Sequence, residues 1–334
     1  MRAVRVTELG GPASLELAEI AEPTADDGSL LLDVKAAGVA FPDLLLSRGQ
    51  YQLKPDPPFT LGTELAGVVQ TAPEGSGFAA GDRVMAMTML GAFADVATSL
   101  PALTFRLPDE LDFAQGGGYV MNYHTAHFAL VRRAELRAGE TLLVHGAGGG
   151  VGTAAIQVGK GLGARVVGVV SSDEKERVAR EAGADEVVRS GRPPQEPGSA
   201  GGARIADWRK QAGPADVIFD PVGGSRFDES VRALATEGRL VVIGFTEGSI
   251  PSVAVNRLLF RNVSVVGAAW GAFAFERPEY VREVDEDLRR MVAAGHVRPL
   301  IGKRYPLERV RDALEDLDGR RAVGKIVLDM EETA

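Results

Sequence analysis

The sequence predicts an α/β protein in two parts, a doubly wound parallel sheet covered by helices and a small β-barrel domain. Three observations carry this. Residues 141–175, TLLVHGAGGGVGTAAIQVGKGLGARVVGVVSSDEK, parse as strand, glycine turn, helix and strand. Beyond them, strand and helix patterns alternate as far as residue 268. Ahead of them, up to about Pro108, short alternating runs broken by Gly, Pro and Asp recur at the spacing of a small barrel.

The barrel strands are MRAVRVTEL, LELAEIAEP, SLLLDVKAAGVAF, LGTELAGVVQ, DRVMAMTML and GAFADVATS. A short helix over 42–48 interrupts them. Pro55, Pro57 and Pro58 then mark a loop near Tyr51, and loops of this kind carry function when they border a cleft. From Asp109 the composition turns helical, DELDFAQGGGYVMNYHTAHFALVRRAEL, and a domain boundary is expected near Tyr123.

The stretch over 141–145 is an apolar run of strand length. Ala154, Ile156, Val158 and Leu162 form the buried stripe of a helix over 153–162, and 165–170 is a second buried strand. Between strand and helix stand Gly146, Ala147, Gly148, Gly149, Gly150, Val151 and Gly152. Residues without a Cβ let backbone amides turn tightly and approach a pyrophosphate at a helix N-terminus. Ala147 takes the place of the first glycine in the usual GxGxxG pattern. The strand–turn–helix context within about 30 residues still reads as a Rossmann dinucleotide grip. The second strand ends Val169, Val170, Ser171, Ser172, with no carboxylate for the adenosine ribose hydroxyls. Ser172 and Lys175 can instead hold a 2′-phosphate, which points to NADPH; the plainer reading is a serine cap followed by a solvated lysine.

Further elements follow in order: strand 186–188, helix near 203–211, strand 216–219, helix 225–234, strand 239–245, helix 255–260 and strand 263–268. A mobile glycine- and proline-rich surface loop is expected over 191–202. The 263–268 strand is hydrophobic and falls at a sheet edge, which predicts pairing with a second copy in a homodimer. Helix 278–294, strand 300–303, helix 308–317 and strand 324–330 complete the chain, the last strand being placed to complete the first domain's sheet.

With 334 residues and 45% hydrophobic content, two domains with sizeable cores are expected. The amino terminus has no secretory apolar region and no run of 18 apolar residues occurs, so a cytoplasmic protein without membrane or lipid partners is the default. A net charge of −9 without basic runs argues against nucleic acid as a partner. The absence of cysteine excludes disulfides, thiolate nucleophiles and cysteine-ligated metals.

Read end to end, the chain resembles the medium-chain dehydrogenase/reductase superfamily, and within it the zinc-free NADPH:quinone oxidoreductases of the zeta-crystallin-like group. The carriers are AAGVAFPDLLLSRGQY (36–51), LGTELAGVV (61–69), GDRVMA (81–86), VHGAGGGVG (144–152), FDPVGG (219–224), GRLVVIGF (238–245) and GKIVL (324–328). The resemblance implies a GroES-like catalytic domain over 1–122 and 271–334 and a Rossmann domain over 123–270, with substrate beside the nicotinamide. To the glycine turn and the Ser172–Lys175 pair it adds cofactor contacts at Thr125, at Gly244, Phe245 and Thr246, and at Ala269, Trp270 and Gly271. The positions that bind catalytic zinc in related alcohol dehydrogenases match Ala40, Thr63 and Met121, none of them a zinc ligand of the required kind. His124 and His127 lie at i and i+3 with no third ligand near in sequence, and read as core histidines. The Asn-Tyr or Asn-Phe of the quinone reductases is Ala40-Phe41 here, and the tyrosine that packs on adenosine is replaced by Arg189 or Ser190.

Reduced nicotinamide delivers its hydride without protein nucleophiles, so few catalytic residues are expected. Phe41, Tyr51, Phe245 and Trp270 are candidates to line an apolar pocket for a flat conjugated acceptor, and Tyr51 to hydrogen-bond the acceptor oxygen. The expected activity is hydride transfer from NADPH to a quinone. Two rivals stand beside it: an NADPH-dependent 2-alkenal or enoyl double-bond reductase, and a nucleotide-binding structural protein of the crystallin type.

Overall fold

The computed structural model describes residues 1–25, 28–190 and 208–330. The expected 191–202 loop lies outside them. The chain divides into two units. One comprises Met1–Asn122, Arg277–Val292 and Arg298–Ala334; the other comprises Tyr123–Glu276 and Ala293–Val297. Residues 271–276 therefore group with the second unit, where the sequence reading put them with the first. The reason is local: Trp270–Glu276 is one helix, and its Trp270 packs on Phe128 and His124.

In the first unit, alternation of apolar and polar residues turns one face of each strand inward. Arg2–Val6 pairs antiparallel with Leu15–Glu19 and Phe59–Thr60. A seven-stranded sheet carries the rest. Its order is Ile301–Pro306, Lys325–Asp329, Leu30–Val39, Glu64–Thr71, Arg83–Met87 and Thr104–Arg106, with Val96–Ser99 also paired to Leu30–Val39. Leu30–Val39 can serve three partners because it is ten residues long and its pairing with Glu64–Thr71 is bulged between Leu31 and Leu32 and between Val34 and Ala36. The last strand completes this sheet, Ile326–Asp329 lying antiparallel to Ala36–Val39.

The second unit is a parallel six-stranded sheet in the order Glu186–Arg189, Arg165–Val170, Thr141–His145, Ala215–Asp220, Leu234–Val242, Ser264–Gly267. This is the doubly wound order, whose switch point between Thr141–His145 and Ala215–Asp220 opens the crevice where dinucleotides bind. The fold class read from the sequence is the one observed. Several boundaries move, two of them beside this crevice. The helix begins at Gly150, on the glycines themselves, and not at 153. The strand expected over 239–245 spans Leu234–Val242, interrupted by a shift in register, and ends early because Ile243 N and Thr246 N turn back to donate to Asp220 O and Pro221 O. Among the described residues no helix is long and apolar enough to cross a membrane.

Candidate dinucleotide site and acceptor residues

The glycine turn is closed by contacts that only a missing Cβ permits. Gly146 takes φ +61°, and Gly149 N donates to Gly146 O at 3.0 Å. A Cβ on Gly152 would stand 2.2 Å from Gly146 O, so the first helical turn is pressed onto the loop. Gly149 is the N-cap of the Gly150–Gly161 helix and has no side chain to offer the first amides. Those donors and the positive helix end suit a pyrophosphate, and the cradle fits a dinucleotide.

Lys175 lies over this turn, since a Cβ on Gly148 would meet Lys175 Cβ at 2.5 Å. Ser172 caps the Asp173–Glu181 helix, its Oγ accepting the Lys175 amide at 3.3 Å. The cap leaves the Ser172 hydroxyl able to donate elsewhere, because it accepts the Lys175 amide while its own O–H remains a donor. Arg189 does not join them: it is paired with Glu176 at 2.7 Å and with Asp173. Ser190 is the residue at that rim, and Arg226 donates to its hydroxyl.

Gly244, Phe245 and Thr246 sit on the loop that returns to the end of the Ala215–Asp220 strand. Phe245 covers Gly223, where a Cβ would be 2.9 Å from its ring. Ala268 N donates to Val242 O at 3.0 Å, which sets Ala269, Trp270 and Gly271 at the rim of the neighbouring strand. Trp270, read as a pocket residue and, through its backbone, as a cofactor contact, has its indole in the core rather than free to line a pocket. It is 2% exposed, edge-on to His124 at 5.6 Å and tilted against Phe128 at 5.5 Å. Thr125 is half-buried at the start of a short helical turn, Thr125–His127. Burial, aided by neighbouring His127, pushes His124 down to about 3, so it is a neutral core residue. Sequence reasoning missed the buried bond from Tyr123 Oη to Gln157 Oε1, 2.7 Å, which fastens the cofactor helix to the preceding helical segment.

Phe41 and Tyr51 belong to the first unit and Phe245 and Trp270 to the second. Phe41 and Tyr51 pack half-buried on the first unit's core. The Tyr51 hydroxyl has no hydrogen-bond partner among the described residues, and burial together with the charge of Asp43 raises its pKa, so it remains a donor. Asp43 is fully buried in the Phe41–Ser47 helix, and its Oδ2 accepts the Ala40 amide at 2.8 Å. Burial lifts Asp43 to about 7 despite that amide and the charge of Lys325. Next to Thr63, Glu64 is also fully buried, accepting from Lys325 Nζ at 2.5 Å and from Met121 N at 2.9 Å. No local signal announces this pair, because its members are 261 positions apart.

The family's zinc frame does not fit this donor set. Ala40 offers a methyl group, Thr63 a neutral hydroxyl and Met121 a thioether, and the Met121 amide is committed to Glu64. Among the described residues no three His, Asp or Glu side chains are grouped to hold an ion.

The family model for the alcohol dehydrogenase GroES-like domain matches residues 26–127, and that for zinc-binding dehydrogenase matches 150–288. The chain is 33% identical to the human quinone oxidoreductase over 98% of this chain and 97% of that one. Among solved structures, a probable oxidoreductase from Mycobacterium abscessus is 42% identical with TM-score 0.85, covering 98% of both chains. The Escherichia coli quinone oxidoreductase complexed with NADPH is 26% identical with TM-score 0.85, covering 98% of this chain and 100% of that one. With likeness running along its whole length and a donor set unfit for zinc, the chain belongs to the zinc-free quinone oxidoreductases of the medium-chain dehydrogenase/reductase superfamily.

Proposed function

We propose that the protein is an NADPH-dependent oxidoreductase that passes hydride to a quinone or a similar conjugated acceptor. The observation that carries the NADPH half is Lys175 laid over Gly148 beside Ser172, at the end of a strand that brings no carboxylate. The quinone half is supported by the full-length likeness to enzymes bearing that name. When bound, NADPH supplies the hydride. The chain's own part is to hold the pyrophosphate on the glycine turn, anchor the 2′-phosphate and orient the acceptor.

Zinc polarisation and thiolate attack are not available from the residues present, so the acceptor must already be electrophilic. A quinone is: hydride transfer leaves a negative charge spread onto oxygen, and one proton then completes the hydroquinone with both its hydroxyls. Tyr51 is proposed to donate a hydrogen bond to that oxygen, and Phe41 to give the ring an apolar neighbour. The proposed setting is cytoplasmic, the net charge of −9 disfavours nucleic acid, and the proposed assembly is a homodimer through the edge strand Ser264–Gly267.

The test is NADPH oxidation measured over ortho- and para-quinones, enals and enoyl thioesters. Quinone turnover that survives a strong chelator is expected. Turnover of enals or enoyl thioesters alone would make the protein a double-bond reductase, and binding without turnover a structural protein. If Tyr51 only orients, Tyr51→Phe should cost about tenfold in kcat/KM, the worth of one hydrogen bond. A loss of several thousandfold would make it the proton donor.

A further inference from the structure

Two turns meet where the second half of the parallel sheet ends. Residues 221–226 follow the Ala215–Asp220 strand, and residues 243–248 follow Leu234–Val242. Asp220 shapes the first turn from within, its Oδ1 accepting from Val222 N at 2.9 Å and from Gly223 N at 3.0 Å. Gly223 and Gly224 then take φ of +64° and +65°, so the turn presents two residues without a Cβ. The second turn is laid on the first along its length. Ile243, Thr246 and Glu247 donate their amides to Asp220 O, Pro221 O and Val222 O at 2.9, 3.1 and 3.0 Å. Phe245 covers Gly223, and Glu247 covers Gly224, where a Cβ would stand 2.4 Å from the Glu247 Cδ.

From that position Glu247 Oε1 accepts from Ser225 N at 3.0 Å and from Ser225 Oγ at 2.8 Å. The carboxylate thereby satisfies an amide at the start of the Gly224–Arg226 turn, which leads into the Phe227–Ala233 helix, and it brings the charge that a helix start favours. A doubly wound sheet is two mononucleotide-binding halves. Adenosine lies over the half that includes Arg165–Val170, and the nicotinamide lies over the strand ends of the other half, here Ala215–Asp220 and Leu234–Val242. Gly244, Phe245 and Thr246 stand between the anchored residues Ile243 and Glu247 at that second end.

We propose that Glu247 is a positioning residue for the nicotinamide: by clasping Ser225 across Gly224 it holds residues 244–246 in the conformation that receives the ring. This rests on the reading of those residues as nicotinamide contacts. The adenosine end of the site is the internal control, since 2′,5′-ADP titrated by calorimetry reports on that end alone and NADPH titrated by fluorescence reports on both. Glu247→Ala should weaken NADPH about fivefold and lower kcat with a quinone about tenfold, while 2′,5′-ADP binds within about twofold of wild type. The primary isotope effect with NADPH deuterated at the transferred position should rise, because a misplaced ring slows the hydride step. Glu247→Gln keeps an acceptor for Ser225 and should recover most of the loss. Ser225→Ala removes the hydroxyl bond at an exposed position and should show the same pattern at about threefold, which keeps the test open if Glu247→Ala does not fold. Gly244→Val tests the reading beneath: a Cβ there meets nothing nearer than Pro221 O at 3.7 Å, so the added side chain obstructs what lies on the loop, and NADPH should weaken at least about tenfold. Wild-type NADPH binding by Gly244→Val overturns both the nicotinamide reading and the proposal. A weakened Gly244→Val beside a Glu247→Ala with wild-type binding and turnover, or with both ligands weakened equally, overturns the role of Glu247 alone.

Discussion

Asp43 shows at the scale of one residue how a group can be structural and still leave a signature in solution. A carboxyl whose folded pKa, about 7, lies above its ordinary value of 3.8 binds its proton more tightly when folded. Stability carried by that proton is present below about pH 4 and is lost as pH rises toward 7, by an amount on the order of a few kcal/mol. Asp43→Asn keeps a carbonyl for the Ala40 amide and removes the titration. The expected outcome is that the variant gains on the wild type in melting temperature between pH 4 and pH 8; parallel curves would show that Asp43 stays charged. Nothing in FPDLLLS foretells this, because burial of Asp43 is imposed by strands distant in sequence. The same holds for Glu64 and Lys325, which sequence reading left unpaired, and for Trp270, where an aromatic residue at a motif's edge gave no sign that its ring faces inward. Ser172 was legible as the cap of the Asp173–Glu181 helix, because a serine just ahead of a helix pattern can take up its free amides.

Among elements, the glycine turn was the most legible, and it has no room for a Cβ at Gly152. Its reading required only that a Cβ be absent where helix and loop meet, and Gly152 meets that demand at 2.2 Å from Gly146 O. Gly152→Ala must push the helix off the loop, at a cost of about 1–3 kcal/mol. NADPH affinity should fall at least about tenfold, with a lower melting temperature. Fluorescence titration showing wild-type affinity would mean that the helix end does not hold the pyrophosphate. The strands were legible where apolar runs are unbroken, as over Thr141–His145 and Arg165–Val170. Leu234–Val242 was misjudged because Glu237, at φ +64°, and Gly238 interrupt its pattern while the strand continues through them.

At the scale of the whole molecule, Ser264–Gly267 ends the six-stranded sheet, and Ile250, Val255, Leu259 and Phe260 nearby in the chain are 77, 74, 71 and 78% exposed. So much apolar surface in one short stretch is what a partner face requires. Light scattering should give about twice the 35.2 kDa chain mass, and Leu259→Asp with Phe260→Glu should halve it without unfolding. A wild-type monomer at micromolar concentration would refute the dimer. The two-part plan was legible from chain length and from the change of strand and helix pattern along the chain, whereas the return of residues 293–297 to the second unit was not, because so short a segment carries no pattern. The seating of Lys325–Asp329 between Ile301–Pro306 and Leu30–Val39 also sets a clock. Most of the second unit is one unbroken stretch and can take shape on the ribosome as soon as residue 276 has emerged. The first unit begins earlier but finishes later: until the final strand is synthesised, Leu30–Val39 has an open edge and Glu64 waits without its lysine. The domain that starts the chain is thus the one whose folding is completed last.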